Sequence, residues 1–173
     1  MLLPLAESPL PRTPESHTRR QETAVAISAR QLWKGPKFLN EIPDRRMRDL
    51  AHTICEEPDN WQRIRAKIQT IGLSSAYLSV RFMECVGMPM RSYALWKKFE
   101  HGLERVLDGA RPSDAAIDAG FADQSHLGRA ARRFAKKSFW KAVAELKEDM
   151  ASEPVSSVLQ KSSSAAPSST NPS

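Results

Sequence analysis

The sequence has only two cysteines, Cys55 and Cys85, among 173 residues. Two cysteines are too few for a disulfide framework and are typical of reduced thiols in a cytosolic core. No apolar run approaches the length of a transmembrane helix. Pro4, Glu7 and Pro9 interrupt the N-terminal stretch that a signal peptide would need to be continuously apolar. We therefore expect a soluble, cytoplasmic protein without a membrane partner.

The sequence also lacks the residue constellations that are typical of enzymes. It has no recognisable Ser-His-Asp arrangement, no glycine loop for phosphate and no pair of carboxylates at catalytic spacing. His52 and Cys55 share one helix face, but only Cys85 and His101 could complete a set of four zinc ligands, at no recognisable spacing. We expect no enzymatic activity, no cofactor and no metal site.

The central part of the sequence is helical throughout, and no stretch alternates as a half-buried strand does. Met47, Leu50 and Ile54 follow the spacing of one apolar helix face. Asp59 and Ser74 can cap the next two helices, each of which ends at a glycine. The pattern therefore predicts an all-α fold of about seven helices.

The two ends of the sequence differ in composition from its centre. Residues 1–42 are rich in proline and in polar and charged residues, which predicts a mostly disordered extension with at most a short helix after residue 22. Residues 151–173 are dominated by serine, alanine and proline, which predicts a disordered tail. The predicted folded domain spans residues 43–149.

Two stretches of this domain have the same organisation. The stretches "IQTIGLSSAYLSVRF" (68–82) and "AIDAGFADQSHLGRA" (116–130) each consist of a helix, a glycine, one apolar residue, a short polar link and a second helix. Two helices joined by a short turn containing glycine form a helix-turn-helix, whose second helix can enter the major groove of DNA. We predict one such motif at about residues 60–86, a linking helix at about 89–108, and a second motif at about 113–136.

Positive charge is concentrated in the second motif. Between Gln124 and Lys141 the sequence has six Lys and Arg residues and no Asp or Glu, which equals the net charge of +6 of the whole chain. Charge localised in this way favours a polyanionic partner such as double-stranded DNA. A solvated helix face that binds nothing is the alternative explanation of such a run.

The motifs resemble those of a known family. The stretch "SDAAIDAGFADQSHLGRAARRF" (113–134) is similar to the second-motif signature of AraC-type bacterial transcription regulators. The stretch "GLSSAYLSVRFMECVGMPMRSYALWKKF" (72–99) resembles their first recognition helix and the start of their linking helix. The resemblance covers roughly residues 43–143. It implies seven helices, with two recognition helices that enter successive major grooves on one face of the DNA.

The resemblance also implies roles for individual residues of the second motif. The family's base-facing positions fall on Gln124, Ser125 and Arg129. Glutamine can form two hydrogen bonds with adenine and arginine two with guanine, whereas serine is permissive. Contacts to the DNA backbone, which position the protein without selecting sequence, are expected from five residues: His126, Arg132, Arg133, Lys136 and Lys137.

The first motif departs from the family's pattern. Its base-facing positions fall on Ala76, Ser79 and Val80, and Val80 cannot hydrogen-bond a base where the family often has arginine. We therefore expect weak or shape-dependent recognition by this motif, with Ser75 and Arg81 contacting the DNA backbone.

Four further positions differ from the family. Ile68 stands where a small alanine is preferred. Ala131 replaces an aromatic core residue, for which Phe134 can supply the lost volume. Lys136 and Phe139 follow the second recognition helix where the family usually has glycine and proline.

Two functional hypotheses follow from the sequence. The first is a sequence-specific DNA-binding transcription regulator. The second is a helical module, or a truncated regulator, that contacts RNA polymerase or another regulator and has lost specific DNA recognition. Residues 1–42 are too few for the sensing and dimerising domain that the family often carries, so we expect no small-molecule ligand and a stand-alone, monomeric module or the remainder of a longer regulator.

Overall fold

The structure, a computed structural model, describes residues 24–152, and every regular element in this range is helical. Residues 1–23 and 153–173, on which most of the predicted disorder falls, lie outside the described residues. The prediction of an all-α fold is confirmed, with eight α-helices in the described range and a 3₁₀ turn at Leu39–Glu41. The helices are α1 (Ala24–Trp33), α2 (Arg45–Glu56), α3 (Trp61–Ile71), α4 (Ser75–Val86), α5 (Met90–Leu107), α6 (Pro112–Asp118), α7 (Gln124–Phe134) and α8 (Phe139–Ser152). None of these helices has both the length and the apolar character that a membrane span requires.

The start of α3 differs from the prediction. Asn60 caps this helix, because its side-chain oxygen accepts a hydrogen bond from the backbone N–H of Arg63 at 3.0 Å. Asp59, the predicted cap, lies one residue too early, and its carboxylate pairs with Lys98 of α5 at 2.7 Å. The residue that sequence assigns to local capping therefore makes a long-range contact, which ties the α2–α3 turn to the linking helix.

Helix α5 fills two hydrophobic cores. Its N-terminal half contributes Tyr93 and Ala94 to the core that α2, α3 and α4 form. From Trp96 onward it contributes Trp96, Phe99 and Leu103 to the core that α1, α6, α7 and α8 form. With 18 residues, α5 is about 27 Å long at about 1.5 Å per residue. One uninterrupted helix therefore sets the separation of the two motifs.

Helix α1 belongs to the second of these cores, although the sequence predicts mostly disorder before residue 43. Val25 and Ala29 are buried in it. The Nε1–H of Trp33 donates a hydrogen bond to Glu145 of α8 at 3.1 Å. Because α5 and α8 cover the apolar face of α1, the folded region begins N-terminal to the predicted domain boundary.

A buried carboxylate ties α1 to α5. Glu100 is 2% exposed and accepts hydrogen bonds from Arg30 of α1 at 3.0 Å, from Trp96 at 2.5 Å and from Lys97 at 2.5 Å. Burial alone would raise the pKa of Glu100, but the charges of Lys97 and Arg30 outweigh it and hold that pKa below its ordinary value. The carboxylate is therefore charged at neutral pH, and it orients α1 relative to α5.

Glu100→Gln keeps the shape of this side chain but removes its charge, and with it the ion pairs that the buried Arg30 and the partly buried Lys97 form with the carboxylate. We expect the free energy of unfolding, measured by urea denaturation at neutral pH, to fall by about 3–5 kcal/mol. Glu84→Gln is the matched control, because Glu84 pairs with Arg81 at the surface, and it should leave the urea midpoint nearly unchanged. Equal effects of the two substitutions would contradict the role assigned to Glu100.

The same carboxylate makes stability depend on pH with a defined sign. The pKa of Glu100 in the folded state lies below the ordinary value of 4.5. Its contribution is therefore complete above the ordinary value and is lost as the pH falls through the lowered folded-state pKa. We expect the stability of the wild type to decline more steeply than that of Glu100→Gln between about pH 5 and about pH 3. Parallel pH profiles of the two proteins would rule out Glu100 as the source.

Candidate nucleic-acid interface

Helices α6 and α7 form the second motif through a tight turn. Gly120 has a φ of 79°, which glycine adopts without the steric penalty of other residues. Phe121 is buried and anchors the turn to the core. Asp123 then caps α7, because its Oδ1 accepts a hydrogen bond from the backbone N–H of His126 at 2.7 Å. The turn and cap thus set where α7 begins and which face it exposes.

Helix α7 lies close against α5 on its buried face. Leu127 and Ala131 are fully buried, and Gly102 of α5 permits the approach, since a Cβ there would lie 2.9 Å from Leu127 Cδ1. Phe134 packs against Trp96 with ring centroids 5.0 Å apart, and so fills the core at the end of α7 where Ala131 is small. This packing holds α7 firmly and directs its polar face away from the core.

The three residues predicted to contact bases lie together on the opposite face of α7. Gln124, Ser125 and Arg129 are exposed and fall within a sector of about 140°, at about 100° per residue. Their side chains have no hydrogen-bond or ion-pair partner among residues 24–152. Gly128 lies in the same sector, and a Cβ there would meet no atom within 4 Å. This sector is therefore open to a ligand.

Three of the predicted backbone-contacting residues keep their charge uncompensated. Arg132 and Lys136 are exposed and have no acidic partner in the described part of the chain. Arg133 donates a hydrogen bond to Ser92 Oγ of α5 at 2.8 Å, which leaves its positive charge unopposed. These cations continue the polar face towards the C-terminal end of α7.

Two other predicted backbone contacts are engaged within the protein. Lys137 forms an ion pair with Glu145 of α8 at 2.5 Å, and its hydrogen bond lowers the pKa of that carboxyl. The ring of His126 packs edge-on against Phe121 with a centroid distance of 5.3 Å. Either side chain would have to exchange its present contact for one with phosphate.

Lys136 has a backbone conformation that lysine rarely adopts. Its φ is 59°, and it follows Ala135, the C-terminal cap of α7. Helices commonly end with one residue in this left-handed conformation, usually glycine, and other residues are disfavoured there by about 1–2 kcal/mol. The left-handed backbone explains why glycine is the family's usual residue here, and it shows that lysine occupies the position against a conformational cost.

The first motif, like the second, has a left-handed glycine and a polar cap before its second helix. Gly72 has a φ of 70° between α3 and α4, and Ser74 Oγ accepts a hydrogen bond from the backbone N–H of Tyr77 at 3.3 Å. The link between glycine and cap is one residue shorter than in the second motif. Setting the two caps in register pairs the residues of α4 and α7 as follows: Ser74 with Asp123, Ala76 with Ser125, Leu78 with Leu127, Val80 with Arg129, and Met83 with Arg132.

The exposed face of α4 is apolar where that of α7 is cationic. Tyr77, Val80 and Met83 are 54%, 58% and 54% exposed. In the cap register, Val80 and Met83 take the positions of two arginines of α7. At equivalent positions, the exposed face of α4 is therefore apolar and that of α7 is positively charged.

The two backbone contacts predicted in the first motif differ in availability. Ser75 is exposed at the start of α4. Arg81 lies 3.3 Å from Asp44 of α2 and 3.3 Å from Glu84. Burial would raise the pKa of Asp44, but hydrogen bonds from Arg81 and from two backbone N–H groups of α2 lower it below its usual value. The guanidinium of Arg81 thus already forms ion pairs with two carboxylates of the protein, and a phosphate would have to compete with them.

Helix α3 packs less deeply than its counterpart α6. Ile64 is its one buried residue. Ile68 and Trp61 are only partly buried, and with Arg65 and Arg91 they line an open cavity of about 510 Å³. Neither arginine has an ion-pair partner within residues 24–152. The larger side chain at position 68 therefore lies at the edge of the core, unlike the buried alanine of the second motif.

One contact between the motifs has no signal in the sequence. The carboxylate of Asp59, paired with Lys98, lies so close to Gly120 that a Cβ there would overlap Asp59 Oδ2. Lys98 Nζ is also 5.0 Å from the centroid of the Phe121 ring. Because these residues are distant in the chain and belong to different helices and turns, no local pattern links them.

A scan against protein families gives an independent comparison. Residues 69–141 match the family model of a helix-turn-helix domain, a range that runs from the end of α3 to the start of α8. No curated protein and no solved structure matches the chain significantly. The match confirms the resemblance to AraC-type regulators over these residues. The chain therefore carries an AraC-type helix-turn-helix domain, a DNA-binding domain of transcription regulators, at residues 69–141.

Proposed function

We propose that the chain is a sequence-specific transcription regulator that inserts α7, and α4 with it, into the major groove of double-stranded DNA. The observation that carries this proposal is the exposed face of α7. There Gln124, Ser125 and Arg129 share one exposed sector and have no partners in the described range. The major groove, about 12 Å wide, admits one α-helix and displays a distinct donor and acceptor pattern for each base pair. This face has the side chains that such a pattern requires.

The cations of α7 divide into two roles along the helix. Arg129 lies at the middle of α7 and can form two hydrogen bonds with guanine. Arg132, Arg133 and Lys136 follow towards the C-terminal end, where contacts to phosphates position the helix without selecting sequence. Cations already paired with acids of the protein contribute less, because DNA has to compete with those acids.

The length of α5 supports the use of two grooves by one chain. Successive major grooves on one face of DNA are about 34–36 Å apart. Helix α5 is about 27 Å long, and each of its ends is buried in the core of one motif. A single chain can therefore occupy a site of two half-sites, which helix-turn-helix proteins with one motif occupy as dimers.

The second hypothesis, a module that contacts RNA polymerase or another regulator, is favoured by one observation. The apolar face of α4, with Tyr77, Val80 and Met83 exposed, suits a protein partner as well as a nucleic acid. The uncompensated cations of α7 oppose it, because a polyanion is the partner that they attract.

Selection of bound sequences from a random DNA pool, with the full chain, tests the proposed function. We expect an enriched motif whose preference at one base pair weakens by about 1–3 kcal/mol in Arg129→Ala. Arg132→Ala is the matched variant, an unpaired arginine about one turn away on the same helix, and it should weaken binding to all sequences alike. Identical behaviour of the two variants contradicts this division of roles. A pool without enrichment contradicts sequence specificity.

Lys136→Gly separates DNA binding from stability. Glycine adopts the left-handed φ without the steric cost that lysine has there. We therefore expect the free energy of unfolding to rise by about 1 kcal/mol. The lost phosphate contact should weaken binding to every duplex and reduce the slope of log K against log salt by about 0.9. Lys34→Gly is the control, because Lys34 has a φ of 51° after α1, and it should gain stability without changing affinity. An unchanged salt slope in Lys136→Gly would exclude Lys136 from the interface.

A further inference from the structure

The centre of the exposed face of α4 has no side chain that can hydrogen-bond a base. Opposite the buried Leu78, at about 100° per residue, lie Ala76, Val80 and Met83. Val80 and Met83 are more than half exposed, at 58% and 54%. Val80 takes the position that Arg129 has in α7. A ligand at the centre of this face therefore meets methyl and methylene groups, and the hydroxyl of the neighbouring Ser79 already donates to the Ser75 carbonyl at 2.8 Å.

The charged residues of α4 do not change this character. Arg81 and Glu84 lie 3.3 Å apart, and Arg81 also pairs with Asp44. Neither charge is available to a base or a phosphate unless these pairs break. Recognition by α4 consequently depends on shape and apolar contact.

The major groove offers one apolar group, the C5-methyl of thymine, whereas the other bases present hydrogen-bond donors and acceptors. We propose that α4 selects thymine by burying this methyl group against Val80, with Ala76 and Met83 alongside, so that A·T pairs form the half-site of the first motif. The inference rests on the proposed function, because it takes α4 to lie in the major groove as α7 does.

Two features favour DNA over a protein as the partner of this stripe. The stripe consists of three side chains on one helix, whereas a stable protein interface uses about 20–30 residues and about 800 Å² on each side. In addition, the helices before and after α4 carry Arg65 and Arg91, which are exposed and have no ion-pair partner among the residues described. Unpaired cations on the helices that flank α4 in the chain suit contacts with the phosphates that border a groove.

Deoxyuridine tests the proposal because it pairs as thymidine does and lacks only the methyl group. The duplex that the full chain enriches from the random pool is synthesised with each thymine replaced singly by deoxyuridine, and its Kd is measured by fluorescence anisotropy. A buried methyl group contributes about 0.8 kcal/mol. We therefore expect binding about fourfold weaker at the thymine that contacts Val80.

Val80→Ala identifies the protein side of this contact. It removes the apolar branch and keeps the helix, since alanine is the best helix former. In this variant the deoxyuridine at the sensitive position should weaken binding by clearly less than fourfold, because two groups in contact show a coupling energy in a double-mutant cycle. Ile117→Ala is the matched control, because Ile117 is an apolar residue of α6 that is 61% exposed, and it should keep the fourfold sensitivity.

The outcomes separate this inference from the proposed function. Equal sensitivity to deoxyuridine in the wild type and in Val80→Ala, or none in either, overturns the inference and leaves binding that depends on Arg129 intact. A changed oligomeric state of Val80→Ala at unchanged DNA affinity assigns the stripe to a protein partner and also overturns it. Failure of the wild type to bind any duplex overturns the proposed function and this inference with it.

Discussion

The buried carboxylate of Glu100 on α5 binds Arg30 of α1, and this ion pair joins two helices of the core that also contains α6, α7 and α8. Burial of three charged side chains is unfavourable in itself, and apolar residues of similar volume are often equally stabilising. The charges join the two helices directly, because Arg30 of α1 donates a hydrogen bond to the carboxylate of α5 at 3.0 Å. Helix α1 so placed completes the core on which α7 rests. The orientation of the candidate interface thus depends on an interaction far from its surface.

The two motifs are built from similar backbone elements and differ in the side chains that their second helices expose. In each, a left-handed glycine and a polar cap precede the second helix, and a leucine four residues after the cap is buried. Contacts to phosphates make affinity depend on salt, whereas burial of an apolar group changes little with salt. Under the proposed function, α7 therefore supplies most of the affinity, and α4 adds selectivity that persists when electrostatic attraction is screened.

Features that depend on neighbouring residues could be predicted from the sequence, and features that join distant residues could not. The caps Ser74 and Asp123 and the exposed face of α7 follow from short-range rules of capping and helical periodicity. The pair of Arg30 and Glu100 spans 70 residues, and each residue alone resembles an ordinary surface charge. The prediction that Asp59 caps α3 is wrong for the same reason, since its carboxylate forms a long-range ion pair with Lys98. Ion pairs with acids on other helices likewise decide which of the predicted cations are available to DNA. No local sequence pattern predicts these ion pairs.

Two independent features of the structure favour glycine at position 120. Its left-handed backbone disfavours other residues, and the carboxylate of Asp59 occupies the space where a Cβ would lie. A smaller residue at position 59 would empty that space but leave the backbone of position 120 unchanged. Variation at position 59 therefore does not by itself relax position 120. Across an evolving lineage, position 59 can change while the left-handed backbone continues to favour glycine at position 120.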